Sequence, residues 1–290
     1  MTADARTVDL EPRRNRARPA RFPLRGMRVS DQALMVSAAC TLAFLYTPIL
    51  VLIIFSFNDN AVTSLPLRGF TWGWYAKAFS NQDMLAALAN SLFVGAFAVM
   101  LCLAIGVPAA FALDRFDFPG KTLFRRFVLL PLMLPGIITG ISMLNLFRAM
   151  GMDLSLQTVI MGHGTALSAV AITQIYARLQ RFNRHIEEAS DDLGARPWQT
   201  FLYVTLPNIR SAIIGTALLT FTLSFDEIPV TFFLTGRENT LPMYIYSTIR
   251  RGITPEVNAI GTMIVVVSLG LILLSVHLLY SEDKESNSKR

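Results

Sequence analysis

The chain has 290 residues, of which 53% are hydrophobic and only 16% charged, against about 25% charge in an ordinary soluble domain. It is too apolar for a soluble enzyme or a disordered chain and too long for a single membrane anchor. The two cysteines, Cys40 and Cys102, both sit inside apolar runs, which excludes a disulfide-stapled secreted domain, and the net charge of +6 has to be read by where it lies relative to those runs.

An arginine-rich arm comes first. Residues 2–27 hold seven Arg with Pro12, Pro19 and Pro23, so residues 1–32 read as a disordered cytoplasmic arm drawn to anionic lipid headgroups. Six apolar runs follow, at 33–57, 88–113, 127–147, 154–177, 211–225 and 257–280. A membrane-crossing helix needs about 20 apolar residues, so the fifth run is short. The third is interrupted by Pro131 and Pro135, which predicts a kink. The fourth is the weakest, with His163 between two glycines; that histidine reads as a satisfied helix residue rather than a proton relay. Twenty Lys and Arg fall in the arm, the 2–3 and 4–5 connections and the tail 281–290, and six fall in the other connections. Positive charge stays inside, so both termini are expected in the cytoplasm. Ser37-Ala38-Ala39-Cys40 lies too early in its run to be a lipoprotein cleavage box. Gly120-Lys121-Thr122 has Arg115 where a phosphate loop needs glycine, and no soluble domain surrounds it.

The connection 178–210 is the informative one. Leu179, Phe182, Ile186, Ala189 and Leu193 recur at helical spacing, with Arg181, Arg184, Glu188 and Asp191 opposite. Gly194 ends that helix, and Pro197 opens a second one with Trp198, Phe201 and Leu202 on its apolar side. The loop therefore reads as helix, glycine turn, helix along the membrane surface. Glu187, Glu188, Asp191 and Asp192 crowd the last turns of the first helix, against its dipole, which suits either a cationic partner or a solvated acidic face. Past the fifth run come Asp226 and Glu227, then the apolar stretch 228–234, too short to span and expected to re-enter the membrane.

Glu188-Ala189-Ser190, three residues, Gly194, nine residues, Val204, one residue and Leu206-Pro207 resemble the EAA loop of ABC importer permeases. Ser190 and Val204 depart from it conservatively, as Ala and Ile are usual there. Ser56-Phe57-Asn58, Asp192-Leu193-Gly194-Ala195, the run from Phe221 to Glu227, the run from Leu241 to Ser247 and Thr254-Pro255-Glu256-Val257-Asn258-Ala259 are similar to the second permease subunit of the spermidine/putrescine branch.

The resemblance implies an all-α, six-span polytopic protein of the type I, MetI-like fold occupying residues 33–280 of a bacterial inner membrane. It implies a transport subunit rather than an enzyme. ATP and Mg would be bound by two cytoplasmic ATPase subunits and no cofactor by this chain. A homologous permease and a periplasmic solute-binding protein would complete the assembly, with the outer segments 58–87 and 235–256 as docking surface. The cargo would be a polyamine, or else another small organic solute; no nucleic acid is involved. The ATPase-coupling residues would be Glu187, Glu188, Ala189, Ser190, Asp191, Asp192, Gly194, Leu206 and Pro207. Phe225, Asp226 and Glu227 suit a solute pathway, since paired carboxylates and an aromatic face fit ammonium groups. No ligand spacing supports a metal site. A secondary transporter would call for inverted repeats and a coupling-ion site, and a membrane enzyme for a catalytic cluster; the sequence carries neither.

Overall fold

The fold is taken from a computed structural model that describes residues 29–60, 64–252 and 254–270. The basic arm before Val29, the tail, and residues 271–280 of the sixth expected span lie outside the described residues. The described residues, 29–60, 64–252 and 254–270, are built almost wholly from helices, with one isolated antiparallel bridge between Asn58 and Phe70.

The chain divides into two units, Met1–Leu50 and Val51–Arg290. The first contributes most of α1 (Val29–Ser56), whose stretch Gln32–Ser56 has a mean hydropathy of 2.3. Thr41 and Thr47 donate to Ser37 O and Ala43 O, 2.9 and 2.6 Å away, so neither hydroxyl needs water inside a bilayer.

In the second unit a short α2 (Gly73–Ser80) leads into α3 (Gln82–Arg115). At about 1.5 Å per residue, the 34 residues of α3 form a rod of about 50 Å, well beyond a hydrocarbon core of about 30 Å. Asn81 caps its start by accepting from Met84 N (3.1 Å), and Asp83 and Arg115 sit at the ends the helix dipole favours. Alongside runs α7 (Leu156–Gln180). The two pack closely because Gly106 has no side chain: a Cβ there would lie 2.6 Å from that of Ala171. Ala110 and Leu113 of α3, Ile172, Ile175 and Leu179 of α7, and Ile209 form the inner core cluster.

The fourth run, which looked weakest, forms the most enclosed of the four span-length helices described: 61% of the apolar window of α7 is buried. Thr158, Gly162, His163, Gly164 and Ser168 are buried against other helices, so they lower hydropathy without a penalty. The third run departs further from expectation. It forms α4 (Lys121–Phe127), α5 (Leu130–Met133) and α6 (Gly136–Ala149), and the two halves meet at 105°, a break rather than a kink. Leu134 precedes Pro135, whose ring drives it out of the helical region, to ψ 136.

The fifth run also differs. Its helix does not start near Ser211 but runs unbroken over Pro197–Phe225 as α9 (Pro197–Thr200), a π turn (Phe201–Thr205) and α10 (Leu206–Phe225). The wider turn, in which Leu206 N–H reaches Phe201 O, lets Pro207 sit inside a continuous helix. Then follow α11 (Pro229–Leu234), α12 (Leu241–Arg251) and α13 (Pro255–Gly270). Four of the described helices are long and apolar enough to span, five if the bent pair is one span, and α13 is the described part of the sixth run.

Candidate coupling elbow and solute pathway

The predicted helix 178–193 is interrupted. α7 ends at Gln180, and the chain turns through residues 181–184, with Asn183 Oδ1 accepting from His185 N (3.2 Å), before α8 (His185–Asp192) begins. One apolar periodicity therefore serves two surfaces: Leu179 belongs to the core, whereas Leu193 is 89% exposed. The new start also relocates the acids. Glu187 and Glu188 lie in the first turn of α8, where the dipole favours them, and only Asp191 and Asp192 oppose it.

Gly194 has φ +83°. Its N–H bonds Asp191 O (2.9 Å) and the Ala195 N–H bonds Ser190 O (3.1 Å), the paired bonds of a Schellman end. The chain reverses there into α9, with Pro197 in its first turn. Thr200 fastens the two arms: its hydroxyl donates to Asp191 Oδ1 (3.0 Å) and lies 3.1 Å from Ser190 Oγ. Ile186 and Leu193 of the first arm, Trp198 of the second, and Leu202 and Tyr203 of the π turn are exposed apolar side chains, with Glu188 and Asp192 exposed on the first arm. Ala189 and Pro207 are exposed, and Leu206 is half-buried. Glu188 Oε2 lies 2.8 Å from His185 Nδ1 at the surface.

Glu187 behaves differently from its neighbour. Both its oxygens meet Arg115 Nη2, at 2.8 and 2.7 Å, and Oε1 also accepts from the Thr205 hydroxyl. Arg115 Nη1 holds Asp114 Oδ2 at 2.6 Å, and Arg184 donates to Asp114 O and Oδ2 at 3.0 and 3.1 Å. The side chains of Asp114, Arg115 and Glu187 are 3, 13 and 14% exposed. Sequence reading missed Asp114 and Thr205, placed Arg184 only on the polar face of the loop helix, and took Arg115 only as a loop charge and as the misfit in a phosphate-loop pattern. Adjacent opposite charges at the end of an apolar run were the available sign.

The residues expected to suit a solute pathway differ in their surroundings. Asp226 is exposed at the end of α10. Glu227 Oε1 accepts from Val230 N (3.0 Å), capping α11, and a Cβ on Gly136 would lie 3.3 Å from it, so this carboxylate sits at the break of the third run. Phe225 is half-buried with its ring on Phe221, centroids 6.0 Å apart. Behind them His163, 1% exposed, bonds Ser224 Oγ through Nδ1 (2.8 Å) and Thr231 Oγ1 through Nε2 (2.9 Å). Thr231 gives its own proton to Glu227 O (2.8 Å), so Nε2 is the donor in that pair. His163 is thus the satisfied histidine expected. The stretch expected to re-enter is α11, with Val230, Thr231 and Leu234 buried in the bundle.

The outer segments are brought together. Asn81 Nδ2 donates to Tyr244 Oη (2.7 Å) and Glu256 Oε1 (2.8 Å), Lys77 Nζ lies 3.0 Å from Glu256 Oε2, and Asn90 Nδ2 reaches Asn239 O (3.0 Å). Gly120-Lys121-Thr122 opens α4, with Lys121 paired to Asp117 (2.9 Å).

Long apolar helices, a surface elbow between two of them and a broken span beside a carboxylate fit a membrane transport subunit. Solved structures agree on the fold: a chain of a bacterial ABC transporter involved in the import of alginate superposes with a TM-score of 0.67 at 19% identity, over 88% of this chain and 98% of that one. A chain of the MetNI methionine ABC transporter gives 0.56 at 18% identity, over 72 and 97%. Residues 102–281 match the family described as binding-protein-dependent transport system inner membrane component. The spermidine/putrescine transport system permease protein PotC of Haemophilus influenzae is 35% identical over 234 residues, 80% of this chain and 91% of that protein. The putrescine transport system permease protein PotI of Escherichia coli K12 is 38% identical over 229 residues, 76 and 81% of the two chains.

The chain belongs to that family of binding-protein-dependent inner membrane components. It is a multi-pass permease subunit of an ABC importer, a transport subunit rather than an enzyme, and the family works with an ATPase and a solute-binding protein.

Proposed function

We propose that this permease carries a polyamine, putrescine or spermidine, and that it does so beside a homologous permease on two cytoplasmic ATPase subunits. Its cargo arrives on a periplasmic binding protein, across the surface made by residues 58–87 and 235–256. Both termini lie in the cytoplasm, with residues 1–32 and 281–290 flanking a permease domain of residues 33–280. ATP and Mg are held by the ATPases, and this chain needs no cofactor of its own.

The observation that carries the coupling role is the exposure of apolar side chains on the elbow. Apolar side chains exposed on an arm that also carries acids make a surface awaiting a partner. Gly194 shapes the reversal, Ala189 leaves room for a close neighbour, and the exposed Asp192, with Glu188 held at the surface by His185, can meet cations. Glu187, Ser190 and Asp191 hold the elbow in shape from within, while Leu206 and Pro207 begin the helix that follows the π turn. The polyamine assignment draws its support from the named relatives and from Asp226, a carboxylate open to a passing ammonium, near Phe225.

Uptake of labelled putrescine and spermidine by proteoliposomes holding the complete importer tests the cargo. Both should be taken up on addition of ATP and binding protein, with neutral sugars and amino acids unable to compete. Equal competition by an uncharged solute would overturn the polyamine assignment and leave the permease class standing.

A further inference from the structure

The Asp114, Arg115, Arg184 and Glu187 cluster joins the elbow to a helix that is its neighbour neither in sequence nor across a loop. We propose that Arg115 is a positioning residue that locks α8 to the inner end of α3, and that α3 acts as the rod relaying force between the ATPase-facing elbow and the outer surface. This rests on the reading of the chain as an ATP-driven permease.

Three observations lead there. First, the peptide connection from α7 to α8 is a turn at residues 181–184, a poor carrier of displacement. The ionic connection is better: Arg115 Nη1 and Nη2 hold Asp114 and Glu187 at once, with all three side chains largely out of water, where charge pairs are screened least. Second, α8 is held at two points, Arg184 at its entry and Glu187 one turn on. Two anchors fix the direction of a short helix as well as its position. Thr205 extends the grip of Glu187 to the π turn, and Phe111, beneath the Arg115 guanidinium at 5.5 Å, packs edge-on against Phe201 at 5.3 Å. Third, α3 continues as one helix from Gln82 to Arg115, through Pro108, and its outer end is held as well. Asn81 caps it and binds Tyr244 and Glu256, the latter also paired with Lys77. A rod fastened at both ends makes signalling reciprocal: a binding protein docking outside affects the ATPase as ATP affects the outer surface.

The test uses the complete importer with its ATPases, companion permease and binding protein in proteoliposomes. Three quantities are read: basal ATP hydrolysis, its stimulation by loaded binding protein, and solute imported per ATP. Arg115→Ala should keep basal hydrolysis, lose the stimulation and lower solute per ATP by about tenfold, within the usual range of coupling between sites. Arg115→Lys, which keeps the charge but not the fork, should fall between wild type and Arg115→Ala. A purely architectural role would lower hydrolysis and uptake together, in proportion to the assembled protein, and leave the stimulation factor and the solute imported per ATP at their wild-type values. An assembled Arg115→Ala importer with wild-type stimulation and solute per ATP would overturn the proposal. If that variant fails to assemble, Arg115→Lys decides: a ratio equal to wild type overturns it, and a reduced ratio at unchanged basal hydrolysis upholds it. A wild-type complex that binding protein does not stimulate would instead refute the permease reading, and the inference with it.

Discussion

Gly194 offers the sharpest separation of backbone from contact effects. Its φ of +83° costs an ordinary L-residue about 1–2 kcal/mol, yet a Cβ built there meets nothing within 4 Å in this chain. Any penalty seen in the permease alone is therefore conformational, not steric. A cost of 1–2 kcal/mol shifts the fraction of correctly turned elbows by about 5- to 30-fold. Gly194→Ala should lower uptake by a factor in that range. Gly194→Asn, whose side chain tolerates the left-handed region, should lose less than about threefold. Gly194→Asp tolerates the turn equally well but adds a carboxylate beside Asp191 and Asp192, where a partner would sit, and should abolish uptake. Membrane insertion should be unchanged throughout, because no spanning helix is touched. Uptake assays on the series, with the amount of inserted protein measured in parallel, check the expectation. If Asn proved as damaging as Ala, or if insertion failed, the left-handed turn would not be what Gly194 supplies.

Other residues make independent tests. Leu193→Glu should change the stability of the permease by no more than a surface substitution does, about 0.5 kcal/mol, because Leu193 is almost wholly exposed, yet sharply reduce ATPase retained on affinity purification. Asp226→Asn should raise the KM for putrescine about tenfold, the worth of one charge-assisted hydrogen bond, at unchanged Tm. Glu227→Ala should do the reverse and cost about 1 kcal/mol of stability by uncapping α11, measured by thermal unfolding in detergent. His163→Ala should cost about 3 kcal/mol, because it opens a cavity and strands the hydroxyls of Ser224 and Thr231; an unchanged Tm would contradict the buried network.

Much of this architecture is written in local pattern. The spacing from Glu188 to Pro207 located the elbow, and Gly194 and Pro197 marked its reversal as observed. What sequence hid has physical causes. α7 looked a poor span because most of its apolar window is buried against other helices, where small and polar residues are tolerated. The helix of the fifth run looked short because an apolar scan stops at Arg210, while hydrogen bonding continues back to Pro197 through a π turn that accepts Pro207. The helical spacing across 178–193 was real, but Leu179 answers to the bundle and Leu193 to the surface, and nothing in the spacing says where one ends. The ionic cluster was hidden by distance along the chain, since Arg115 and Glu187 stand 72 residues apart. The two neighbouring carboxylates 226 and 227 looked alike, and only the three-dimensional path of the chain makes Glu227 a cap and leaves Asp226 open.

The central claim is that force from a separate ATP-hydrolysing subunit enters through the elbow. The most direct measurement compares putrescine accumulation in proteoliposomes assembled with and without the ATPase subunits, all other components held constant. Accumulation against a gradient should occur only with the ATPases present and ATP supplied. Undiminished accumulation in their absence would mark an ion-driven carrier and contradict the account.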